Sequence, residues 1–300
     1  MSNNQESESS RVYYLFYTFF LIPLMICVFG VLFVLITQVL TFEPKDINQL
    51  LIKLETGSIR DKADASYRIN KLFANDVSTY DSSFRNRIIR IHDMSKSEFN
   101  LDNSLRLHVI MIMGNSKDTT FGINLMDELS SDNEEFRIKA IESLGKLRYS
   151  PAANPVKLFL KSGNSFWEKL AAAGALGNMG NPDVIDDLLA LINSWPANWD
   201  ESDGPELRWD AAIALLKLNY SDSSTIKVIN DLLNKSYYNQ YEQLDENKIN
   251  HLLLKILQIL YSIDDTVLLE PFKNAVYKLS DDNSNLELKN LAKKLYNRFK

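Results

Sequence analysis

A chain of 300 residues can form one or two ordinary domains, and only 10 Gly and 8 Pro interrupt it. Its net charge of −6, with Lys and Arg scattered and no aromatic residues interleaved, leaves no basic stripe and argues against nucleic acid as a partner. The single cysteine, Cys27, excludes a disulfide framework and a cysteine-type zinc site.

In chain order, residues 1–11 form a short polar tail. Residues 12–42, VYYLFYTFFLIPLMICVFGVLFVLITQVLTF, then run without a charge. About 20 apolar residues span a bilayer as a helix, so a single transmembrane helix is expected here. Tyr13, Tyr14 and Tyr17 sit at one end, where an interfacial belt belongs, and Pro23 is tolerated in such a helix. A cleaved signal peptide is the competing reading. It is disfavoured because the run far exceeds about 7–15 residues and no small-residue cleavage site follows. Arg11 lies on one side of the span and Lys45, Lys53, Arg60 and Lys62 on the other, so counting cations places the rest of the chain in the cytoplasm. The margin is small, and a periplasmic placement stays open.

Residues 43–300 read as a repeat. Five stretches, DKADASYRINKLF, RLHVIMIMGNS, RIKAIESLGKLR, KLAAAGALGNMG and RWDAAIALLKLN, are headed by Lys62, Arg106, Arg137, Lys169 and Arg208, at steps of 44, 31, 32 and 39 residues. A period in the thirties marks a stacked solenoid. Three places after each head stands a mostly small residue (Ala65, Val109, Ala140, Ala172, Ala211). Four further on stands a large one (Ile69, Met113, Leu144, Leu176, Leu215). This spacing keeps both on one helix face. Gly114, Gly145 and Gly177 suit helix ends. A second helix follows each turn, most clearly where Asn181 fits an N-cap and Pro182 the first helical position. The expected fold is all-α: a transmembrane helix and then a solenoid of about six helix pairs.

The longest of the later steps holds SWPANWDESDGPELRW, residues 194–209, with three of the four tryptophans. Insertions in solenoids map to loops on one face, often the binding face. Trp195, Trp199, Asp200, Glu201 and Asp203 are therefore the candidate protein-binding residues. Trp209, one place after a head, is expected to pack between repeats. Residues 236–248, with Tyr237, Tyr238 and Tyr241, read as an irregular connection, and the C-terminal helix as a cap with a polar outer face. Catalytic chemistry finds no foothold. His92, His108 and His251 lie far apart, and Gly177 to Gly180 lacks the Lys-Ser/Thr of a phosphate loop. No catalytic, cofactor or metal residues are expected, and no small-molecule substrate.

The helix-turn-helix unit resembles the HEAT-repeat family, in particular its short bacterial branch that includes the repeats of phycobilin lyases. Asp132, Arg137, Ala140, Leu144 and Gly145 match that motif. Lys169, Ala172, Leu176, Gly177 and Pro182 match it nearly as well, whereas Leu216 replaces the Gly after Arg208, Ala211 and Leu215. The resemblance covers about residues 46–300. With the apolar N-terminal run, the chain also looks like a class of bacterial membrane proteins built from one anchor and short HEAT repeats. What that implies is a non-enzymatic scaffold, tethered to the bilayer through residues 12–42, that binds a protein partner in the service of a transport or envelope complex. The repeat's basic residue, by the same resemblance, pairs with an acid or carbonyl between repeats. The alternatives are an enzyme or chaperone of the bilin-lyase kind and a periplasmic binding module. Fold alone does not decide among them.

Overall fold

The computed structural model describes residues 16–40, 46–74, 82–96, 103–161, 164–194, 203–241, 243–282 and 285–299. The chain divides into two units, residues 1–49 and 50–300. In the first, a π-helical turn at Tyr17–Leu21 runs into α1, Ile22–Leu40. The stretch Tyr17–Thr37 has a mean hydropathy of 3.0 and is not buried among the described residues, so it is long and apolar enough to cross a membrane. The polar tail, Tyr13 and Tyr14 lie outside the described residues.

Among the described residues there is no strand. After α2 (Ile47–Thr56), helices alternate in two layers. The helices with basic heads are α3 (Ile59–Ala74), α5 (Asn103–Asn115), α7 (Glu134–Lys146), α9 (Phe166–Met179) and α11 (Pro205–Lys217). They lie side by side, each packed on the next. The returning helices are α4 (Ser82–Ser95), α6 (Gly122–Glu128), α8 (Ala153–Lys157) and α10 (Ile185–Asn193). Each packs under the following headed helix, and α12 (Ser223–Leu232) packs on α11. The C-terminal part adds α13 (Glu246–Ser262), α14 (Thr266–Leu269), α15 (Lys273–Asp281) and α16 (Leu286–Tyr296), with α16 packed on both α13 and α15.

The periodic apolar positions form the core, as the spacing predicts. Ala65, Val109, Ala140, Ala172 and Ala211 are wholly buried, and so are Ile69, Met113, Leu144, Leu176 and Leu215. Burying each large side chain contributes about 1.5–3 kcal/mol. Helix starts are capped where the sequence expects it. Asn181 accepts from the Asp183 backbone ahead of Pro182, and Ser165 forms a capping box with Glu168.

The glycines play a second part beside the one expected. Gly114, Gly145 and Gly177 lie in the last turn of their helices, one or two residues before the final one. They also sit at the seam with the next headed helix. A Cβ on Gly145 would lie 2.7 Å from the Ala175 Cα, and one on Gly177 would lie 2.5 Å from the Ala214 Cα. Their bare backbone lets neighbouring helices approach more closely than any side chain permits. Just past each helix end stands a left-handed residue 11 places after the head: Lys117, Arg148, Gly180 and Asn219, with φ of 60°, 52°, 72° and 55°. A non-glycine residue strains there by about 1 kcal/mol. Arg148 is exposed, so Arg148→Gly should stabilise the protein by up to about 1 kcal/mol. A higher urea midpoint with unchanged helical circular dichroism is the expected readout.

Candidate functional site

Three of the basic heads are held by acids. Arg137 Nε donates to Glu168 at 2.6 Å and its Nη1 to the Ser131 carbonyl at 2.6 Å. Lys169 Nζ donates to Asp203 at 2.9 Å, with both side chains about 96 % buried. Arg106 donates to Glu128 at 2.8 Å and lies over the Phe136 ring, 4.5 Å from its centre. In the Arg137 and Lys169 pairs the acid comes from the following repeat unit, so the cations act as inter-repeat clamps.

Of the five candidate binding residues, Trp195, Trp199, Asp200 and Glu201 lie outside the described residues. Asp203 is placed, and its carboxylate is spent on Lys169. Trp209 packs between repeats as expected. It is 4 % exposed and meets Tyr237, Tyr238 and Tyr241 edge-on, with ring centres 6.2, 6.1 and 5.2 Å away. The tyrosine-rich connection is thus a short 3-10 helix, Lys235–Gln240, that covers this tryptophan.

His92 Nε2 lies 2.6 Å from Glu128 Oε1, with both side chains fully buried. Burial alone pushes the Glu128 carboxyl up. The hydrogen bonds and charges of His92 and Arg106 outweigh it and hold the group at about 2, against an ordinary 4.5. The pair joins α4 to α6 and has no exposed face, so a substrate cannot reach it.

One open feature is a groove on the headed layer, about 410 Å³ in volume. Its floor is α9, which presents Leu170, Ala171, Gly174 and Ala175 there. One wall is α7, with Ile138, Glu142 and Lys146, and the other carries Asp210 and Lys217 of α11 and Lys255 of α13. Trp167 stands at the start of α9, 62 % exposed, steadied by Phe166 with ring centres 5.1 Å apart. The depression exists because α9 offers mostly small side chains where α7 and α11 offer long ones. Lys217 is half-buried and donates to Asn178 Oδ1 at 2.7 Å. Desolvation, then the nearby Lys255 charge, push its pKa down, while Asp210 pulls it up. Glu142 is paired by Lys139 at 2.9 Å and Asp210 by Lys255 at 3.3 Å.

Sequence reasoning missed this site, and one signal could have found it. Two places before the heads stand Arg60, Ser104, Glu135 and Glu206, all polar; at that place the fourth unit alone has a large apolar residue, Trp167.

A family model of HEAT repeats matches residues 124–200. No curated protein matches the chain. Among solved structures, the complex of CpcE and CpcF of phycocyanin lyase from Nostoc sp. PCC7120 is similar at a TM-score of 0.55 and 14 % identity, over 87 % of this chain and 97 % of that one. Human deoxyhypusine hydroxylase in complex with glycerol aligns over 86 % of each chain at 13 % identity, with a TM-score of 0.32. The likeness to the lyase chain extends the solenoid architecture well beyond the matched repeats; at this identity it shows the fold alone.

Proposed function

We propose that this chain is a non-enzymatic scaffold, tethered to a membrane by its apolar N-terminal helix, that binds a protein partner in the groove over α9. The observation that carries the reading is the open groove with Trp167 at its rim. A tryptophan left 62 % exposed beside an apolar floor has the composition of an interface anchor. HEAT-type solenoids suit this use, since stacked helix pairs give long continuous surfaces. The tether rests on the Tyr17–Thr37 stretch, whose uncovered apolar surface would be costly in water. The cation count favours the cytoplasmic side for the repeats over the periplasmic one.

The test is capture from native membranes in mild detergent, read by mass spectrometry, with the full-length protein as bait. Trp167→Ala should lose the partner, by at least about tenfold for an anchor worth about 2 kcal/mol. A Trp195→Ala, Trp199→Ala double variant reports separately on the insertion. Equal capture by wild type and Trp167→Ala would overturn the assignment of the groove. A coloured tetrapyrrole bound in an absorbance titration would replace the scaffold reading with the bilin-lyase alternative.

A further inference from the structure

Gly174 is a mid-helix glycine that the fold does not require. A Cβ built on it meets nothing within 4 Å, in contrast to Gly177 one turn on, where it would strike α11. Glycine there costs about 1 kcal/mol of helix propensity relative to alanine. What its absence of side chain leaves is a bare stretch of the floor, beside Ala171 and Ala175. The charge around that floor is unbalanced. The two acids of the walls, Glu142 and Asp210, are each paired by a lysine. Lys146 and Lys217 remain, with Arg148 close enough for its charge to act on Lys217. A basic groove thus lies on a chain whose net charge is −6. Lys217 is held half-buried against a neutral amide, so an arriving carboxylate would find a cation already stripped of part of its water.

We propose that the groove over α9 receives an acidic amphipathic helix of the partner, small or apolar residues on the Gly174 floor and carboxylates on Lys146 and Lys217. A helix is the form that suits it. Among the described residues there is no strand edge to extend, and an all-helical surface is read by a helix laid in a groove. A groove walled by α7 and α11 runs along α9, whose 14 residues give a track of about 21 Å, which a partner helix of about the same length fills.

This rests on the scaffold reading and is tested apart from it. Full-length protein in detergent micelles is panned against a random 16-residue peptide library displayed on phage, with Gly174→Trp as the counter-selecting bait. That variant fills the groove without touching the fold, and its unchanged circular dichroism and melting would certify this. The expected peptides are net negative, carry acids at helical spacing, lose about tenfold in affinity to Lys217→Met, and weaken as salt rises. Enrichment of basic or neutral peptides, equal binding to Gly174→Trp, or no enrichment would overturn the proposal. The native-membrane capture, repeated with Gly174→Trp, separates the two failures. A partner lost there while the library gives no acidic helix leaves the scaffold and removes its acidic specificity. A partner retained there removes the groove as the docking site, and the acidic-helix proposal with it, while the scaffold binds elsewhere.

Discussion

Glu128→Ala should destabilise the protein by about 3–5 kcal/mol, because it strands two buried or half-buried partners at once. Arg106 and His92 both point at this carboxylate, and Lys96 lies 3.4 Å from it. The same group makes stability depend on acid. Its carboxyl is held at about 2 in the folded protein, below the ordinary 4.5. A depressed carboxyl contributes its full stability above about pH 4.5 and loses it as pH falls toward 2. A shift of this size corresponds to about 3 kcal/mol. Urea midpoints measured at pH 7 and pH 3 should therefore converge between wild type and Glu128→Ala at the acid end. A gap that is as wide at pH 3 as at pH 7 would show that the carboxylate is not ion-paired in solution.

Gly177→Val should cost about 3 kcal/mol. Its first side-chain carbon would lie 2.5 Å from the Ala214 Cα, and α11 is held in place by its own buried face. Gly174→Ala, in the same helix, should instead stabilise by up to about 1 kcal/mol, since its surroundings are open. Thermal melts of the two variants thus move in opposite directions. A wild-type melt for Gly177→Val would mean that α9 and α11 are further apart than described.

The contrast between these glycines shows where sequence reading ran out. Alanine and leucine at fixed steps from a basic head announce their burial, because a helix permits only one face to be repeated. A glycine near the end of such a helix has two uses, and the string of letters is the same for both. The left-handed residues just past the helix ends went unseen because three of the four are Lys117, Arg148 and Asn219. The clamps were legible as a kind, from the resemblance, but their acids were not. Glu168 and Asp203 come 31 and 34 residues after their cations, with no fixed step to mark them. Asp203 drew attention as part of an insertion, and the structure places its side chain against Lys169. The groove is not local to any segment. It appears only when three headed helices stand side by side and the middle one is short of side chains, so Trp167 passed as one more aromatic residue.

The backbone seams at Gly114, Gly145 and Gly177 also have a mechanical consequence. At Gly145 and Gly177 the next helix comes in through the Cα and Cβ of an alanine, and at Gly114 through the short Ser143 side chain, so no long side chain lies between the helices to absorb a displacement. The stretch from α5 to α11 should therefore resist bending, while Asn70 before it and Leu216 after it put side chains back at the corresponding seam. Pulled end to end, the solenoid would stretch at its two ends first, and the segment that carries the groove would move as one stiff plate.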